Sequence, residues 1–122
     1  MKIQSFRDLD VWKESHGLVI LIYRSTKKFP KEEQFGLANQ MRRAVVSITS
    51  NIAEGFGRSS YKDKNHFYQI APGSIIEIQN QLIIAKDIGY ISEAEFDKIN
   101  NRSMKAERIC RGLINKSKEF YS

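Results

Sequence analysis

The sequence predicts an all-α protein, an up-down-up-down antiparallel four-helix bundle with short loops, its third helix kinked at Pro72. Three observations lead there. Apolar residues recur at spacings of three and four along most of the chain. The breaks carry helix-stopping residues: Pro30, Gly55 with Gly57, and Gly89. No segment alternates with the period of two that a strand requires.

The first helix is expected over about residues 8–28. Leu9, Trp12, His16, Val19 and Tyr23 follow helical spacing, and Val11, Leu18 and Ile22 form a second apolar line, so burial on two sides is expected. Pro30 ends it, because the residue before proline avoids helical geometry. The second helix, about 31–56, carries Ala38, Met41, Val45, Ile48 and Ile52 on one stripe, and Gly55 and Gly57 offer a C-terminal cap. Ser59 and Ser60 offer caps for the third helix, which runs to about Ile88 with Phe67, Ala71, Ser74, Ile78, Leu82 and Ala85 facing inward. Pro72 removes a hydrogen bond from it, hence the expected kink. Ser92, with Glu95 three residues on, caps the fourth helix, whose inner residues are Phe96, Ile99, Ala106, Cys110, Leu113 and Phe120. A turn near Arg58–Ser60 pairs residues whose numbers sum to about 118, which sets Ala44 level with Ser74 and Arg42 and Arg43 level with residues 75–77.

The 122 residues read as one domain, 1–122, with 41% hydrophobic and 28% charged residues and enough chain to bury a core unaided. One cysteine, Cys110, forbids an internal disulfide and points to a reducing, cytoplasmic setting. The first nine residues lack a signal-peptide core, and the longest apolar run, Leu18 to Tyr23, is far too short to span a bilayer, so no membrane role is expected. Net charge is +6, and nearly all of it lies at the end of the chain: from Lys98 on there are seven basic residues against two acidic ones. Lys98, Arg102 and Lys105 share a helix face, and Arg108 and Arg111 extend the row. Such a row attracts nucleic acid through its phosphates, and Phe120 and Tyr121 could add stacking.

Beside the apolar stripe of the second helix runs a polar line: Gln40, Arg43, Ser47, Asn51 and Glu54. Partly desolvated polar groups need partners. Arg42, Arg43, Ser47, Asn51, Glu54 and Glu77 are therefore expected to form a structural network, with an arginine paired to Glu77. Leu18, Ile22, Val46, Ile76 and Ile83 remain apolar after the inner stripes are assigned, and a second subunit is expected to cover them.

The residues Phe6-x-Asp8-Leu9-x-Val11-Trp12, Phe29-Pro30-x-Glu32-Glu33-x-Phe35-Gly36-Leu37 and Gln40-Met41-Arg42-Arg43-Ala44-x-x-Ser47-Ile48-x-x-Asn51-Ile52-Ala53-Glu54-Gly55, then Phe67, Ile70-Ala71-x-Gly73-Ser74, Glu77, Gln81-Leu82, Ala85 and Gly89-Tyr90, carry a resemblance of nearly full length. The chain resembles the four-helix-bundle proteins encoded in intervening sequences of bacterial 23S ribosomal RNA genes. It is also similar to the accessory variability protein of diversity-generating retroelements, a nucleic-acid-binding partner of a reverse transcriptase. The resemblance implies a homopentamer and carries no enzymatic activity with it. Pro72 and the end of the fourth helix depart from the pattern.

Chemistry-bearing constellations are sparse. A di-iron bundle needs two Glu-x-x-His motifs, whereas the chain has Asp63-x-x-His66 once and Lys13 at the matching place before His16. His16 on the apolar stripe is expected to be a core histidine. Cys110 sits in a helix interior with no base nearby in sequence, and Gly55-x-Gly57 follows a helix, not a strand, so neither a thiol nucleophile nor a phosphate cradle is indicated. No metal or cofactor is expected, and no sequence-reading nucleic-acid module is present. The expected function is a non-enzymatic, oligomeric bundle that associates with nucleic acid, RNA foremost. The alternative is a protein–protein adaptor or scaffold ring with no nucleic-acid role.

Overall fold

A computed structural model describes residues 2–121; Met1 and Ser122, the ends of the expected 1–122 domain, lie outside it. The described residues form five α-helices: α1 (Asp10–Thr26), α2 (Leu37–Phe56), α3 (Tyr61–Tyr68), α4 (Ala71–Ile88) and α5 (Glu93–Lys118). Short 3-10 turns at Phe6–Asp8 and Lys31–Glu33 precede α1 and α2. α3 and α4 together make the third arm of the bundle. Around the square, α1 packs on α2 and α5, and α4 packs on α2 and α5.

Local chemistry explains most of the boundaries. Ser5 and Asp8 form a reciprocal capping box around the first turn. Pro30 opens the Lys31–Glu33 turn, and α2 begins only after Gly36, its first amide at Leu37 held by the Glu33 carboxylate at 3.0 Å. Ser60 caps α3 and Ser92 caps α5, each hydroxyl accepting the amide three residues on at 3.1 Å. Gly89 ends α4 in the left-handed region at φ 97°, which favours glycine.

Near Pro72, where the kink is expected, the third arm is two helices rather than one. The arm is interrupted at Gln69 and Ile70, and Pro72 lies in the first turn of α4, where its missing N–H costs nothing. Gly55 and Gly57 do not provide a left-handed cap, since Gly57 is right-handed at φ −79°. Gly55 serves packing instead. A methyl group there would lie 2.8 Å from the Lys64 carbonyl and from the Tyr68 ring, so only glycine lets α3 lie this close to α2.

The stripe on α2 is buried throughout: Ala38, Met41, Val45, Ile48 and Ile52. It meets Ile75, Ile78, Leu82 and Ala85 of α4 and Ile99, Ala106 and Cys110 of α5 in one core cluster. On α1 the two apolar lines divide unequally. Val11, Leu18 and Ile22 point into the core together with Ser15. The aromatic line lies along the rim, where His16 is exposed and stacks on Trp12 at 4.7 Å rather than occupying the core. Leu18 and Ile22 are fully buried within the chain itself, so they are not surface left for a second subunit. Phe120 is likewise not a core residue: it is 58% exposed and stacks on Tyr61.

The register between arms is marked by Ser74, whose hydroxyl donates to Ser47 at 3.0 Å, about one turn from the level expected. Replacing Gly55 with Ala should destabilise the fold by about 1–3 kcal/mol, since the backbone of α3 must shift to accept the methyl group. Urea unfolding of the variant beside the parent measures it, and no loss would mean that α3 does not seat on α2 at this glycine.

Candidate functional site

The basic residues of α5 fall into two groups. Lys98, Lys105 and Arg108 are exposed and, with Lys116, lie within about 80° of one another around the helix, whereas Ile99, Ala106 and Cys110 are buried. Lys98, Arg108 and Lys116 make no ion pair among the described residues. Lys105 reaches Glu14 of α1 at 3.5 Å. Arg102 is bound down against α1: its Nε lies 3.4 Å from both the Glu14 carboxylate and the Glu14 carbonyl. Its guanidinium covers Gly17, where a methyl group would fall 1.9 Å from Nη2. Arg111 pairs within α5, with Glu107 at 3.0 Å. Of the expected row, Arg102, Lys105 and Arg111 are thus paired with carboxylates, Lys105 and Arg111 while still exposed, and Lys98 and Arg108 are exposed without a carboxylate partner among the described residues. Phe120 and Tyr121 are also engaged, Phe120 on Tyr61 and the Tyr121 hydroxyl by the Asn65 amide at 2.9 Å.

The polar line of α2 forms a network in its centre only. Asn51 donates to the Ser47 carbonyl and hydroxyl, and Ser47 accepts from Ser74. Arg42 turns toward α1, where its Nε donates to the Thr26 hydroxyl at 2.9 Å and its guanidinium lies 4.7 Å from the centre of the Tyr23 ring. Glu54 pairs with Arg58 one turn on, at the surface. The expected arginine–Glu77 pair does not form. Glu77 is exposed and accepts from Gln81 at 3.1 Å, and Arg43, also exposed, shares a surface groove with Glu77 without pairing to it. Water solvates both charges there, and little is gained by bringing them together.

Val46, Ile76 and Ile83 are 38%, 52% and 47% exposed. Ile84 and Ile88, absent from the sequence-based set, extend the apolar surface along α4. Spacing alone hides them, because α4 is apolar on nearly every side.

No group of three or more His, Cys, Asp and Glu among the described residues could hold a metal. Burial pushes the Cys110 thiol up to about 11, the reverse of what a thiolate nucleophile needs. Burial likewise raises the Tyr68 hydroxyl to about 12. At the other end of the bundle Tyr90 donates to Glu33 at 2.7 Å, which lowers the carboxyl and raises the phenol; the bond pins the loop before α2 to the end of α4. No described helix is long and apolar enough to cross a membrane.

The sequence profile of the 23S rRNA-intervening sequence protein family matches residues 7–112. The chain belongs to that family. Its fold is similar to a protein of unknown function from the S23 ribosomal protein family of Bacteroides thetaiotaomicron VPI-5482, with a TM-score of 0.79 and 24% identity over 85% of this chain and 97% of the other. At that identity the likeness concerns the fold. No functionally curated protein matches the chain significantly. The family match ends at Gly112, so Lys116, Phe120 and Tyr121 lie outside what it covers.

Two outcomes test this geometry. Glu77→Ala should change stability by no more than about 0.5 kcal/mol, because an exposed carboxylate bonded to a neighbouring amide contributes little. A loss of several kcal/mol in urea unfolding would require a buried pair. Cys110 should react with iodoacetamide at pH 8 far more slowly in the native protein than in urea, since its thiol is buried and protonated there. Equal rates would place the thiol at the surface.

Proposed function

We propose that this family member is a non-enzymatic, oligomeric bundle that associates with nucleic acid, RNA foremost, through the outward face of α5. One observation carries the reading: Lys98, Lys105, Arg108 and Lys116 share one solvent-exposed side of α5. Cations so arranged bind phosphate by releasing counterions, without regard to base sequence. No cavity with converging catalytic groups competes with this reading among the described residues.

Self-association uses other helices, α2 and α4. Val46, Ile76, Ile83, Ile84 and Ile88 form the apolar surface offered to further copies, and the number five rests on family resemblance. The reading places the protein in the cytoplasm, in keeping with its lone reduced cysteine. The adaptor alternative draws on the same apolar surface, with another protein in place of a second copy.

The test uses a triple variant, Lys98→Gln, Lys105→Gln and Arg108→Gln. Its affinity for unrelated RNA sequences should fall by a similar factor, and the log-salt slope should flatten by up to about three units, roughly one for each lost phosphate contact. Helicity and particle size by light scattering should be unchanged, since glutamine is a good helix former and the residues face away from the core. Unchanged affinity would remove α5 as the site. A parent particle of 14.1 kDa at micromolar concentrations would remove the oligomer.

A further inference from the structure

At the end of the basic face a cavity of about 400 Å³ opens between the start of the chain, α3 and the last turns of α5. Phe56, Tyr61, Leu113 and Phe120 supply its apolar walls, and Lys64 and Lys116 are the only charged residues lining it. Its size falls within the range of small-molecule sites. Tyr61 and Phe120 stack with their centroids 4.5 Å apart and remain 43% and 58% exposed, so ring surface is open to a further flat group. Lys64 is fixed in place, donating to the Phe56 carbonyl with its ammonium 5.0 Å from the centre of the Phe56 ring. Lys116 belongs both to this lining and to the exposed row that begins at Lys98, about 27 Å away along the helix.

We propose that this cavity takes one unpaired nucleotide of a single-stranded nucleic acid, its base on the Tyr61–Phe120 stack and its phosphate at Lys64 and Lys116. The inference rests on the nucleic-acid reading above and gives it a specific feature, a preference for unpaired strands. The chemistry suits that occupant on both counts. Base-on-aromatic stacking tolerates any base, and two lysines with no carboxylate in the lining favour an anion next to the ring. Continuity with the α5 row allows one strand to lay its phosphates along the helix and turn its last base into the cavity.

The experiment compares two fluorescently labelled decamers by anisotropy at about 50 mM salt. One is oligouridylate; the other has the same phosphates and no bases. Ribose and deoxyribose versions run in parallel tell whether RNA or DNA supplies the nucleotide. The decamer with bases should bind roughly five- to a hundredfold more tightly, the range of one stacked base. Phe120→Ala should remove that advantage and leave the abasic decamer unaffected, whereas Lys116→Gln should weaken both. Phe120 is exposed and follows the end of α5, so its truncation leaves the core intact. Equal binding of the two decamers overturns the nucleotide site while leaving the basic-face reading standing. Failure of both decamers to bind overturns that reading as well. Equal decamer binding, together with Phe120-dependent partitioning onto neutral phosphatidylcholine vesicles, would give the cavity to an acyl chain instead.

Discussion

The close seat of the third arm on α2 is the contact on which the rest of the molecule depends. Gly55 removes the side chain that would hold α3 away, and Ser47 and Ser74 fix the level of α4 through one hydroxyl bond. With α4 placed, Gln79 reaches Ser103 and Glu107 of α5 at 3.2 Å, which sets the level of the last helix. α5 then presents Arg102 to Gly17 and Glu14 of α1 and closes the square. Small residues matter here because close packing leaves no room for one more methyl group unless the backbone moves. The break at Gln69 and Ile70, just before Pro72, makes α3 and α4 two helices, each with its own seat.

How much of this was legible follows from which signals are local. The α2 stripe, the Ser60 and Ser92 caps and the Gly89 stop were all readable, because spacing and capping act within a few residues. The α1 face was not, since both of its apolar lines obey helical spacing. What separates them is the company they keep across the bundle: Ser15, Ser25 and Thr26 look like surface residues yet are buried beside Leu18 and Ile22. Gly17 gave no warning either, because its reason is an arginine 85 positions later.

The candidate site shows the same division. That basic residues concentrate on α5 was plain from composition, but which of them face solvent depends on Glu14, a residue of another helix. Arg42 illustrates why an expected ion pair is a weak inference from sequence. A guanidinium at the edge of a bundle can be satisfied by a hydroxyl and an aromatic face, as Thr26 and Tyr23 do here, without a carboxylate. The cavity at the end of α5 escaped notice because its walls come from four separate stretches of chain.

The basic row and the exposed isoleucines lie on different helices, and that placement constrains any assembly. α5 carries exposed cations on its outward side, whereas α4 presents Ile76, Ile83, Ile84 and Ile88. Copies packed through α5 would place rows of like charge in contact, which costs free energy unless anions intervene. Copies packed through the isoleucines of α4 would bury apolar area and leave every α5 free of that contact. An assembly of the second kind also raises the density of positive charge around its rim, so each added copy strengthens attraction to a polyanion without any new residue. On the proposed function, self-association and phosphate binding would reinforce one another, since they would use different helices.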